Sequence, residues 1–247
     1  MNQLLSRRLR IWRRSPSSFA RKVFDRLFGP DMSWLSKSRD DYPVGSWQWL
    51  ALSEIHYGGF KVGVESNANR GGDRMSPLFH GYGHAYEEFI KFLFARRNDP
   101  LTIIEVGILN GSGLAIWCDL FPNSRIIGLD IDLRNFQSNR HFLDSVGAFS
   151  LNQPEVYEFD QLDPVKAART LDKVLGSAKV EMVIDDGCHS IESIRLTFEA
   201  LAPRMSPNSI YFIEDNFDTY DDLAPNNGYL RWFQRGEMTI AASKAFF

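Results

Sequence analysis

The spacing of apolar residues changes character near residue 100. Beyond that point short β-rich runs, Leu101–Val106, Ile126–Ile131, Val156–Phe159, Val180–Ile184 and Ile210–Ile213, alternate with segments near 112–121, 164–175 and 190–203 whose apolar residues recur at helical spacing. One more helix is predicted just upstream, from Ala85 to Arg97, with Phe89, Ile90, Leu93 and Phe94 on one side and Pro100 as punctuation. Strands that alternate with helices predict an α/β fold, a mainly parallel sheet with helices on both faces. On that architecture ligands bind at the carboxyl ends of the strands.

The first hundred residues read differently. From 43 to 82 the chain is rich in Gly, Ser, Asn and aromatic residues, and Gly58-Gly59 and Gly71-Gly72 predict a loop-rich segment without a long element. Residues 1–30 interleave Arg7, Arg8, Arg10, Arg13 and Arg14 with Leu4, Leu5, Leu9, Ile11 and Trp12, the pattern of a basic amphipathic helix. Such a helix suits contact with an anionic membrane surface or an acidic partner, and equally suits packing on its own domain or subunit with the basic face in water. The expected division is an N-terminal helical extension over 1–42 and one α/β domain over 43–247.

Composition sharpens this picture. The net charge of −3 conceals an asymmetry: residues 1–30 hold eight of the 28 Lys and Arg but one of the 31 acids, so the body is acidic. An acidic body without a recognised nucleic-acid motif argues against nucleic acid as a partner. No apolar run approaches the roughly 18 residues of a membrane span, and the N-terminus lacks the apolar stretch of a secretory signal. Cys118 and Cys188 show neither metal-ligand nor disulfide-framework spacing. A cytoplasmic protein, membrane-associated if the leader binds lipid, is the expectation.

The candidate chemistry lies at the predicted strand ends. The first strand runs into Glu105-Val-Gly107-Ile-Leu-Asn110-Gly111-Ser-Gly113, a glycine-rich turn that lets backbone approach a ligand, although its spacing is not the G-x-G-x-x-G of a dinucleotide site. The second ends in Asp130, 23 residues beyond Gly107, where a carboxylate can accept hydrogen bonds from ribose hydroxyls. The third ends in Asp160-Gln161, placed to read an adenine edge. Asp130 and Asp160 fit the plainer role of loop acids or helix N-caps as well.

The most informative run is Val183-Ile184-Asp185-Asp186-Gly187-Cys188-His189, answered on the next strand by Ile213-Glu214-Asp215-Asn216. Neighbouring strand ends bring Asp186, Glu214 and Asp215 within reach of one cation, and such oxygen ligands suit Mg²⁺ or Mn²⁺ better than zinc. Carboxylates crowded without a cation repel one another and raise at least one pKa. His189 is placed to take a proton from a polarised hydroxyl, or else to cap the helix that follows.

These residues resemble the class I S-adenosylmethionine-dependent methyltransferases, whose fold is Rossmann-like, and in particular the metal-dependent sugar O-methyltransferases of macrolide biosynthesis. The likeness runs from about Gly71 to Asn216. Ile184 to His189 is similar to that family's I-D-D-G-S-H, with Cys188 in place of Ser, and Ile213-Glu214-Asp215 to its V-E-D. Gly72-Asp73-Arg74, followed by His84 and Tyr86, is similar to its G-[TS]-D-K and H-x-Y segments, with Arg for Lys. The resemblance implies Asp186, Glu214 and Asp215 as metal ligands and His189 as general base. It also implies a cofactor site of Glu105, Gly107, Asn110, Gly111, Asp130, Asp160, Gln161 and Asp185. A small-molecule or glycan acceptor and a homo-oligomer complete the expectation. A catechol-like acceptor and a non-catalytic cofactor-binding module are the alternatives. The 32 residues after Asp215 leave little room for the antiparallel strand pair that closes such sheets.

Overall fold

The structure, a computed structural model, describes residues 32–58 and 73–246, so the basic leader at 1–30 and Gly71-Gly72 lie outside the described residues. In chain order the elements are α1 (Trp47–Gly58), α2 (Gly83–Phe94), β1 (Thr102–Val106), α3 (Ser112–Leu120), β2 (Arg125–Asp130), α4 (Arg134–Ser145) and β3 (Glu155–Glu158). They continue with α5 (Pro164–Leu175), β4 (Val180–Asp185), α6 (Ile191–Leu201), β5 (Met205–Ile213), α7 (Thr219–Leu223), β6 (Leu230–Arg235) and β7 (Met238–Ser243). The strands form one sheet in the order β3-β2-β1-β4-β5-β7-β6, parallel from β3 through β5. This is the expected Rossmann-like α/β fold. Among the described residues no helix is long and apolar enough to cross a membrane.

The period of two along each strand builds two cores. On β4 and β5, Met182, Ile184, Ile210 and Phe212 face α1, α2 and α3, while Val183, Tyr211 and Ile213 face α5 and α6. Each such fully buried aliphatic or aromatic side chain contributes roughly 1.5–3 kcal/mol. Helix starts follow their caps: Asp163 accepts the Lys166 N–H at 2.9 Å ahead of Pro164 at the start of α5, and Ser190 accepts the Ser193 N–H at 3.1 Å ahead of α6.

Two expectations change. The segment 43–82, expected to be loop, contains α1, which buries Trp49, Leu50, Ala51, Ser53, Glu54 and Tyr57. Residues before it are held too: Trp34 is buried against Trp47, their ring centroids 5.5 Å apart, and Arg39 pairs with Asp119 at 2.8 Å. The antiparallel pair for which little room was expected is present as β6 and β7, with β7 lying on β5. It fits because Arg235 pairs with Met238 across a two-residue turn in which Gly236 supplies φ +66°.

Candidate functional site

Connections leave the sheet in opposite directions at β1 and β4, and this switch point sits beside the acidic strand ends. Parallel pairing runs past the strands themselves. The Asp186 N–H donates to Val106 O at 2.9 Å and the Glu214 N–H to Asp185 O at 3.0 Å, so Gly107, Asp186 and Glu214 line up across three strands. Side-chain alternation then sorts the acids. Glu105 and Glu214 fall on the face of α1–α3, whereas Asp185 falls on the face of α6.

A buried arginine organises the first face. Arg74 donates to Glu105 at 2.6 Å and to Glu214 at 3.0 Å, and lies 3.5 Å from Asp186. Burial alone would lower the Arg74 pKa, but the charges of Glu214, Asp186 and Glu105 carry it well above its usual range. Burial raises the Glu105 and Glu214 carboxyls despite Arg74, and burial together with the Glu214 charge holds Asp186 well above the ordinary carboxylate range. The phenols of Tyr86 and Tyr82 donate to Glu214 and to Asp215, and His80 Nδ1 lies 3.3 Å from the same Asp215 oxygen.

One atom each of Asp186, His189 and Asp215 lies within 4.8 Å of the others, a grouping able to hold a cation. His80, Asp215 and Glu237 converge in the same way, so Asp215 belongs to both groups. His189 is not the cap of α6, since Ser190 fills that position. Its loop is fixed instead by the Asn216 side chain, which donates to His189 O at 2.8 Å and leaves the imidazole exposed. Glu214 stands behind the trio, fully buried; one oxygen serves Arg74 and Tyr86, and the other has no hydrogen-bond partner among the described residues.

The residues expected around a cofactor divide into two sets. Glu105, Gly107, Asn110 and Gly111 line the β1–α3 turn, where Gly107 and Gly111 have φ of +82° and +83°. The Asp130 carboxylate braces that turn, accepting the Ile108 and Leu109 N–H groups at 2.9 and 3.0 Å on one oxygen and the Asp132 N–H at 3.0 Å on the other. Asp160, beyond β3, accepts the Leu162 N–H at 2.9 Å. Gln161 and Asp185 are instead turned into the structure beneath α6. Gln161 donates to Asp185 and to Thr197, both at 2.9 Å, and accepts the Cys188 N–H at 2.7 Å, while Tyr211 donates to Asp185 at 3.3 Å. Burial pushes the Asp185 carboxyl up to about 7. Through these contacts the two side chains shape the loop that carries Asp186 and His189.

No protein-family model matches the chain. Over 171 residues, 62% of its length, it is 28% identical to 8-demethyl-8-alpha-L-rhamnosyl tetracenomycin-C 2'-O-methyltransferase of Streptomyces olivaceus, matching 40% of that protein. It is 29% identical over 131 residues to demethylmacrocin O-methyltransferase of Streptomyces fradiae, matching 50% of this chain and 29% of that one. Both relatives are O-methyltransferases, and the chain spans less than half the length of each. The MycE methyltransferase of the mycinamycin biosynthetic pathway, solved with Mg and SAH, shares its fold at TM-score 0.50 and 18% identity, covering 69% of this chain and 50% of that one.

Sequence reading passed over several residues that the structure places in the cluster: Tyr82, His80 and, further back, Glu54 of α1. The Glu54 carboxylate accepts the Arg74 and Met75 N–H groups at 3.2 and 2.7 Å and so fixes the segment that carries the arginine. Nothing in its apolar surroundings, Trp49 to Tyr57, marks it in sequence beyond an acid on a helix with apolar residues all round. Burial pushes its pKa up to about 7 from an ordinary value of 4.5. A carboxyl raised in the folded state favours folding below its unfolded pKa, and that contribution is lost as pH rises to the folded value. Stability is therefore expected to fall between about pH 4.5 and pH 7, and Glu54→Gln to flatten that fall even if it lowers stability overall. Urea midpoints measured across this range provide the check; an unchanged slope in the variant would remove Glu54 from the account.

Proposed function

We propose that the chain transfers a methyl group from S-adenosylmethionine to a sugar hydroxyl on a glycosylated metabolite, glycolipid or glycan, with the help of Mg²⁺ or Mn²⁺. The observation that carries this reading is the convergence of Asp186, His189 and Asp215, with Glu214 buried next to Asp215 in the chain, beside a glycine turn at the switch point, in a chain whose relatives are O-methyltransferases. The donor set fits a divalent ion. The carboxylates of Asp186, Glu214 and Asp215 make it up, and a buried Glu214 oxygen without a partner among the described residues is a position that proteins seldom leave uncompensated. Asp186, Glu214 and Asp215 would hold the ion, and the β1–α3 turn with Glu105, Asp130 and Asp160 would receive the cofactor. When bound, S-adenosylmethionine supplies an electrophilic methyl group and the divalent ion supplies Lewis-acid polarisation of a hydroxyl.

The chain's own residues do the rest. His189 is exposed on a loop pinned by Asn216 and Ser190, so its imidazole is held ready to accept the hydroxyl proton of an acceptor. Arg74 offsets part of the negative charge of Glu105, Asp186 and Glu214 and keeps the strand ends in register. Calorimetric titration with S-adenosylhomocysteine, in Mg²⁺ and then in EDTA, tests the reading directly. Binding is expected, and its absence under both conditions would sink the proposal. Loss of a general base slows such reactions by about 10²-fold or more, so His189→Ala should lower kcat by that amount while cofactor and Mn²⁺ binding persist. Unchanged kcat would take His189 out of the proton transfer.

A further inference from the structure

The segment 73–86 contributes hydrogen-bond donors in a pattern that folding alone does not require. Glu214 and Asp215 are consecutive residues at the end of β5, and each has one oxygen engaged by this segment. On Glu214, Oε1 accepts from Tyr86 and from Arg74 at 3.0 Å, while Oε2 is buried without a partner among the described residues. On Asp215, Oδ1 accepts from Tyr82 and faces His80 Nδ1 at 3.3 Å, and no described residue donates to Oδ2. The two phenols come from one helical turn: Tyr82 precedes α2 in helical conformation and the Tyr86 N–H donates to Tyr82 O at 2.9 Å. Spacing of i and i+4 stacks the two side chains on one helix face, so a single turn addresses both acids.

Both rings are held rigidly. Tyr86 is fully buried and packs on Phe212 with ring centroids 4.5 Å apart, and Tyr82 is 3% exposed. A fixed donor on one carboxylate oxygen sets the orientation of the other. We propose that Tyr82 and Tyr86 are positioning residues for a divalent cation, saturating one oxygen of Asp215 and of Glu214 so that the second oxygen of each is left to the ion. This inference rests on the metal-dependent reading above and adds to it the residues that orient the acids. Burying the bare Glu214 oxygen is costly in the protein alone and becomes favourable when a cation takes it up.

Mn²⁺ titration of the purified chain, followed by electron paramagnetic resonance of the free ion, tests it on wild type, Tyr82→Phe and Tyr86→Phe. Loss of a partner that orients a metal ligand weakens binding by about 10–100-fold, so each variant should show that loss while keeping its circular dichroism and a cooperative melt in EDTA. A merely structural phenol would move the melt and leave Mn²⁺ affinity alone. Should Tyr86→Phe fail to fold, Tyr82→Phe, acting through Asp215, still decides the matter. Affinity within about threefold of wild type in a folded variant overturns the inference, being far short of the loss that orienting partners produce. Wild type that takes up no Mn²⁺ overturns the metal-dependent reading itself, and this inference with it.

Discussion

Replacing Asp186 with asparagine is expected to lower methyl transfer by about 10³-fold or more while raising the melting temperature of the metal-free protein. The first effect follows from what a divalent ion contributes, several kcal/mol of charge stabilisation at about 1.4 kcal/mol per tenfold in rate, and from the proposed place of Asp186 among its ligands. The second follows from its surroundings. Burial and the neighbouring Glu214 raise its pKa well above the ordinary range, and Arg74 at 3.5 Å compensates only in part. At neutral pH the charged form is therefore strained in the folded protein, and a neutral amide of the same shape relieves repulsion from Glu214 and Asp215. Mn²⁺ should raise the melting temperature of wild type and leave that of the variant unchanged. A variant retaining turnover within about tenfold of wild type would exclude Asp186 from the chemistry, since that is under 1.4 kcal/mol of the barrier. A variant less stable than wild type in EDTA would show that the Arg74 contact outweighs the repulsion.

The opposed effects on activity and stability reflect where the sequence was informative. Acids at adjacent strand ends are visible without a structure because the apolar runs before them fix where each strand stops, and β4 and β5 end at Asp185 and Ile213, within two residues of the positions expected. What periodicity could not supply was direction. Asp185 and Asp186 are neighbours in sequence, but a period of two sends the first beneath α6 to Gln161 and Tyr211 and the second towards Arg74. Gln161 belongs to the same buried network. Helix α1 escaped because apolar residues surround it on every side, leaving no polar face to mark a period, and α4 escaped for the opposite reason, since only Phe136 and Leu143 are buried on it. The β6–β7 hairpin escaped because its economy depends on a two-residue turn at Gly236. Arg74, Tyr82 and Tyr86 reach the acids from a segment more than a hundred residues away from Glu214 and Asp215; Arg74 and Tyr86 stand out in sequence only through the family resemblance, and Tyr82 through no pattern at all.

The glycine turn at the end of β1 is the place where fold and site are most tightly bound together, and Gly107→Ala should be the most damaging single-methyl change there. Gly107 has φ +82°, and a Cβ on it would lie 2.1 Å from Asp186 O, 2.5 Å from Asp186 C and 2.6 Å from Gly187 Cα, all backbone atoms that cannot rotate aside. Gly147 offers the control, with φ +81° and nothing within 4 Å of an added Cβ. Both substitutions carry the cost of a left-handed conformation, about 1–2 kcal/mol. Only Gly107→Ala adds overpacking, typically about 1–3 kcal/mol, so it should cost roughly 2–5 kcal/mol out of a usual total of about 5–15. The atoms forced to move belong to the loop that carries Asp186 and His189. Molecules that still fold should therefore bind Mn²⁺ and S-adenosylhomocysteine poorly, whereas Gly147→Ala should bind both as wild type does. Urea unfolding of the two variants, with Mn²⁺ titration of each, separates conformation from contact. If the two lose the same stability to within about 0.5 kcal/mol, the scatter expected for ordinary surface substitutions, and both bind Mn²⁺ normally, then the β1 and β4 ends are not packed as tightly as the 2.1 Å approach requires.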